Sequence, residues 1–143
     1  MSARDRYHEE FKTALENEGW TVTDDPFRVT LGLVKVQIDL AAEPLIVAER
    51  GDERIVIEIK TFGHLSFITD LQDAVGQYMC YQFMLDKTNS DRILYLGVPT
   101  KVYDRYEDEP ILEIFEALNI SLILYDPETE NIDKWIRQPN TKR

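Results

Sequence analysis

Cysteine, positive charge and long apolar runs are what this 143-residue chain has least of. The single cysteine, Cys80, leaves no partner for an intrachain disulfide. The longest apolar stretches, Ile93 to Val98 and Leu118 to Tyr125, are interrupted by Tyr and Gly or by Asn and Ser. They fall far short of the roughly 18 residues a membrane span needs, so no membrane association is expected. The opening Met-Ser-Ala-Arg-Asp-Arg-Tyr-His-Glu-Glu contains no apolar signal-peptide core, and a cytoplasmic location is the expectation. Lys and Arg number 16 against 27 Asp and Glu, a net charge of −11 at pH 7. Affinity for a phosphate backbone comes mainly from cationic side chains that displace counterions. If the substrate is a nucleic acid, metal or a partner must therefore help.

No repeat, low-complexity tract or long Pro/Gly/Ser linker divides the sequence, and 43% of its residues are hydrophobic. One domain spanning 1–143 is expected. Tyr7, Phe11, Ala14 and Leu15 recur at helical spacing and stop at Gly19, which predicts a helix over about 3–18. β-Branched residues follow from Thr21 to Thr23, then a turn at Asp24-Asp25-Pro26, then strands over Val29–Leu31 and Leu33–Leu40. Pro44 to Arg50 and Glu53 to Lys60 flank Gly51-Asp52 and read as a hairpin that sets Arg50 against Glu53 and Leu45 near Glu58. Thr69 with Gln72 suggests a capping box for a helix to about Lys87, with Leu71, Ala74, Val75, Tyr78, Met79 and Phe83 as its apolar stripe. Asp91–Val98 reads as a buried strand, Glu109–Leu118 as a helix, Ile120–Tyr125 as a strand, and Asn131–Ile136 as a closing element. The expected class is α/β (α+β), a central mixed sheet flanked by helices.

Chemistry concentrates in Ile55-Val56-Ile57-Glu58-Ile59-Lys60. Alternation puts Glu58 and Lys60 on one face of the strand and the isoleucines on the other. A Glu-x-Lys pair on a half-exposed strand is commonly a solvated ion pair worth about 0–1 kcal/mol. This one is embedded in a run apolar enough to be covered on both faces, where an unpaired charge is expensive. Asp39 and Glu43 lie upstream as partner carboxylates. Two convergent carboxylates with a strand carbonyl such as that of Ile59 suit a hard cation, Mg²⁺ or Mn²⁺. Lys60 beside them would orient an attacking water or steady charge at phosphorus. His8 flanks the helix-one stripe, Gln77 sits among Val75, Tyr78 and Met79, His64 falls in a loop, and Cys80 is expected to be a small core residue.

Helix, strands bearing an acidic residue, Glu-x-Lys, helix, strand: this order resembles the PD-(D/E)XK nuclease superfamily, and implies a restriction-endonuclease-like core in the order α-β-β-β-α-β-α-β. Asp39, Glu58 and Lys60 match its motif. Ile38 stands where the superfamily has proline, so Glu43 competes with Asp39 as first carboxylate. The wider sequence resembles the XisH family of excision-controlling factors. The likeness runs through Arg4-Asp5 with His8, Ala14-Leu15 with Gly19-Trp20, Asp25-Pro26, Ile38-Asp39-Leu40 with Ala42-Glu43, Ala48-Glu49-Arg50, Glu58-Ile59-Lys60, Gly76-Gln77 and Leu94-Tyr95-Leu96. It implies a role in programmed removal of a DNA element, with an XisI-like companion and a site-specific recombinase as partners. It also places His8 or Glu9 and Gln77 where related nucleases carry accessory site residues. A homodimer is expected by analogy with nucleases that address two strands. The rival expectation, motivated by the charge of −11, is a regulatory scaffold that binds those partners and cuts nothing.

Overall fold

The computed structural model describes residues 3–23, 27–31, 34–38, 45–63, 66–88 and 90–139. It opens with helix α1 (Ala3–Asn17), whose end is closed by Gly19 at φ 89°, with the N–H groups of Gly19 and Trp20 donating to the carbonyls of Glu16 and Leu15. Glycine meets no Cβ penalty in that left-handed conformation, which turns the chain straight into a strand.

Six strands form one mixed sheet. β1 (Thr21–Thr23) pairs antiparallel with β4 (Leu45–Arg50), which forms a hairpin with β5 (Glu53–Ile59). The expected register is found, with Arg50 opposite Glu53 and Leu45 opposite Glu58. Helix α2 (Phe67–Lys87) then crosses over to β6 (Ile93–Pro99), parallel to β5. Helix α3 (Thr100–Tyr106), a 3-10 turn (Pro110–Leu112) and helix α4 (Glu113–Ala117) lead to β7 (Leu122–Asp126), parallel to β6. β8 (Asn131–Ile136) closes the edge antiparallel to β7, so the order across the sheet is β1-β4-β5-β6-β7-β8. β2 (Phe27–Leu31) and β3 (Val34–Ile38) form a separate antiparallel pair, and β2 touches α2.

Strand alternation divides the core in two. Ile46, Ala48, Ile55, Ile57, Ile59, Ile123 and Tyr125 face α1 and pack on Phe11 and Leu15. Leu45, Val56, Leu94, Leu96, Leu122 and Leu124 face the other way and pack on Leu71, Ala74 and Tyr78 of α2. Among the described residues no helix is long and apolar enough to cross a membrane.

Several details depart from the sequence-based expectation. α2 starts two residues before Thr69, and its cap is Ser66, whose hydroxyl accepts the Thr69 N–H at 3.2 Å. Met79, Phe83 and Cys80 are exposed rather than core, because the sheet takes the neighbouring stripe of Leu71, Ala74, Tyr78 and Leu85. The single helix expected over 109–118 is a 3-10 turn followed by five helical residues. α3 was not expected at all. It has seven residues, none buried, and no side-chain cap, so it leaves no periodic signal.

Candidate functional site

Glu58 is the feature around which the site is built. It lies next to last in β5, between Leu45 on β4 and Leu96 on β6, and has no exposed surface. By alternation with Ile57 and Ile59 its side chain belongs to the α2 face of the sheet. Lys60 follows on the same side by the same alternation. Its N–H donates to the Gly97 carbonyl at 3.0 Å, which carries the β5–β6 ladder one residue past the strand, and its side chain is half-buried.

Tyr78 braces α2 over this face. Its hydroxyl donates to the Leu94 carbonyl at 2.9 Å and accepts the Ser121 N–H at 3.1 Å, which ties the helix to β6 and to the residue before β7. Burial pushes its pKa up to about 12, the hydrogen bonds with Ser121 oppose that rise, and the nearby Tyr95 and Glu58 charges add to it. Glu58 is thus close enough for its charge to be felt at the phenol. On the opposite face Gly97 lets α1 approach: a Cβ there would sit 3.0 Å from Phe11 Cε2 and 3.4 Å from Ile57 Cγ2.

Of the other expected site residues, Gln77 is half-buried on α2, the helix that covers Glu58. His8 is half-buried on α1, which covers the other face of the sheet. Ile59 has its side chain fully buried toward α1, so only its main-chain carbonyl enters the expected ligand set. Asp39, Glu43 and His64 lie outside the described residues. Among the described residues, no three His, Cys, Asp or Glu side chains gather as a metal-binding group. One carboxylate and one ammonium are therefore in place at the end of β5.

Strands β5, β6 and β7 run parallel and end along one edge of the sheet. A cavity of about 300 Å³ opens there, lined by Thr61 to Gly63 just after Lys60, by Thr100 to Val102 and Arg105 of α3, and by Asp126 to Glu128 at the end of β7. Ligands in open α/β sheets sit outside the carboxyl ends of the strands. Sequence reading missed this cavity, since its walls come from three separate strand ends.

The XisH protein family model matches residues 1–133 of the chain. The chain belongs to the XisH family. The crystal structure of an XisH family protein from Nostoc punctiforme PCC 73102 is similar over 93% of this chain and 100% of its own, with 33% identity and a TM-score of 0.81. That of a fdxN element excision controlling factor protein from Anabaena variabilis is similar over 93% of this chain and 99% of its own, with 36% identity and a TM-score of 0.81. No curated protein matches. The XisH match covers the strand that carries Glu58 and leads into Lys60, both helices that cover the main sheet, and the strand ends that form the cavity.

Proposed function

We propose that this chain controls the excision of a DNA element from a restriction-endonuclease-like core of the PD-(D/E)XK type, with Glu58 and Lys60 at its centre. The observation that carries the reading is Glu58 itself. It is a carboxylate with no exposed surface, two residues before a half-buried lysine, in the otherwise apolar buried stretch Ile55–Ile59 of a central strand. Burying an ionisable group is costly, and such groups cluster where their charge is used. The excision role is supported by the Anabaena variabilis relative, which is described as a fdxN element excision controlling factor.

The nuclease-like core is supported by the order of elements: α1, the antiparallel set β1-β4-β5, then α2 and the parallel strand β6. β3 ends at Ile38, the residue before Asp39, and its hairpin partner β2 touches α2, the helix over the Glu58 face. In this reading Asp39 or Glu43, Glu58 and the Ile59 carbonyl hold Mg²⁺ or Mn²⁺, which favour oxygen donors. The bound ion would supply Lewis acidity toward a phosphodiester and lower the pKa of a bound water. Lys60 steadies negative charge developing at phosphorus, and Gln77, on the helix over Glu58, is the nearer of the two accessory candidates by face; His8 approaches from the other side. With a net charge of −11, the chain leaves much of the phosphate contact to a companion, in this reading an XisI-like factor or a site-specific recombinase.

The test is titration calorimetry of Mn²⁺ into wild type and Glu58→Gln, together with plasmid nicking by wild type, Glu58→Gln and Lys60→Ala, each with and without the companion. Saturable Mn²⁺ binding that disappears in Glu58→Gln while the melting temperature holds, with nicking lost in both variants, is the expected result. Unchanged Mn²⁺ binding in Glu58→Gln removes that residue from the site. Absence of nicking by wild type with metal and companion present leaves a regulatory scaffold as the function.

A further inference from the structure

The cavity at the carboxyl edge of the sheet has a wall made by the residues that immediately follow Lys60. At about 300 Å³ it is at the small end of the roughly 300–1,000 Å³ typical of ligand pockets. That is room for one planar ring system and its sugar, and too little for a duplex.

Its lining is aromatic on the side nearest the candidate site. Phe62 is half-buried and stands at φ 56°, a conformation a bulky non-glycine residue adopts only when its surroundings hold it there. It stacks on Phe67 with ring centroids 5.5 Å apart and planes at 27°, and Phe67 stacks on Tyr106 at 3.8 Å and 15°. Three half-buried rings thus form a stack that starts at the cavity wall. Tyr7 of α1 adds a further ring to the lining.

The polar groups divide into two kinds. Three carboxylates in the wall are already engaged. Asp126 accepts the Glu128 N–H at 2.9 Å, Glu128 pairs with Lys101 at 3.3 Å, and Asp133 accepts the Thr100 hydroxyl. Each retains lone pairs that can accept from an amino group. Arg105, by contrast, is exposed beside the cavity and makes no ion pair with any described residue. Aromatic faces, carboxylate acceptors and one uncommitted guanidinium are the groups that recognise, respectively, a base plane, an exocyclic amine and a phosphate.

We infer that this cavity takes a single unpaired nucleotide whose base carries an exocyclic amino group, with the base against Phe62 and the phosphate on Arg105. The inference rests on the DNA-processing reading above and deepens it: the DNA engaged at the strand end that follows Lys60 is locally single-stranded, as at a flap, a branch or a melted step. The acidic balance of the chain fits this substrate better than a continuous duplex, because one nucleotide asks for one cationic contact rather than a row of them.

The experiment is fluorescence anisotropy of labelled single-stranded oligodeoxycytidine, oligodeoxythymidine and blunt duplex DNA in EDTA, with unlabelled dCMP as competitor. The proteins compared are wild type, Phe62→Gly and Arg105→Ala. Phe62→Gly removes the ring at a backbone conformation that glycine adopts freely, so the fold survives and melting confirms it. Expected are saturable binding of the cytidine strand, weaker binding of thymidine and duplex, and about a tenfold loss in Phe62→Gly and in Arg105→Ala. Competition by dCMP as effective as that of the strand would identify a free nucleotide as the occupant and overturn the single-strand reading. No binding by wild type, or binding undiminished in both cavity variants, overturns the site altogether. Because EDTA removes metal and neither cavity variant alters Glu58 or Lys60, this result stands or falls separately from the metal site.

Discussion

Replacing Tyr78 with phenylalanine tests whether the face of the sheet that carries Glu58 is held as described. The substitution removes one oxygen from a side chain that is 2% exposed and leaves the ring in place. Two contacts disappear with it, the donation to the Leu94 carbonyl at 2.9 Å and the acceptance of the Ser121 N–H at 3.1 Å. Ser121 is fully buried, so its N–H loses a partner where water does not readily replace it. A buried polar group left unsatisfied costs about 1–3 kcal/mol, and a loss of about 2 kcal/mol at pH 7 is expected.

The same hydroxyl gives a second readout. Burial first of all raises its pKa from 10.0 to about 12, so in the folded protein it keeps its proton where an unfolded tyrosine has lost it. The folded state then binds more protons, and stability falls as pH rises from 10 through 12. A shift of that size corresponds to about 3 kcal/mol of stability lost across that window. Tyr78→Phe lacks this component, so its alkaline loss is smaller than that of wild type by about that amount, while Tyr125, also raised by burial, still contributes in both. Urea denaturation followed by circular dichroism, at neutral pH and at steps through the alkaline window, measures both effects. A change below about 0.5 kcal/mol at pH 7, the range of an ordinary surface substitution, would refute the brace. Identical alkaline slopes for the two proteins would refute the assignment of the raised pKa to Tyr78.

Two smaller perturbations probe the elements on either side of the site. Gly97→Ala places a Cβ 3.0 Å from Phe11 Cε2, and overpacking of that kind is expected to cost about 1–3 kcal/mol in urea denaturation; a neutral result would mean that α1 does not lie tightly on β6. Ser66→Ala removes the oxygen that accepts the Thr69 N–H, which is expected to cost about 1 kcal/mol and to speed amide hydrogen exchange in the first turn of α2; unchanged exchange at Thr69 would rule out the cap.

What the sequence disclosed and what it hid follow one physical distinction. The β4–β5 hairpin was legible to the residue because a two-residue turn at Gly51-Asp52 fixes register, and alternation then assigns every side chain to a face. That the strand around Glu58 is covered on both faces was legible for a related reason, since apolar residues stand on both sides of it. α2 was legible as a helix and not as a surface. Its apolar residues span more than one face, and only the sheet decides that Leu71, Ala74, Tyr78 and Leu85 go inward while Ile68, Met79 and Phe83 stay out. The cavity lies furthest from any local pattern. Phe62, Arg105 and Asp126 are separated by tens of residues and meet because β5, β6 and β7 run parallel and end at a common edge, so the order of crossovers, a property of the whole sheet, brings them together. Strand chemistry therefore singles out Glu58 and Lys60 from the sequence alone, whereas the walls of the cavity become visible only once the topology has been built.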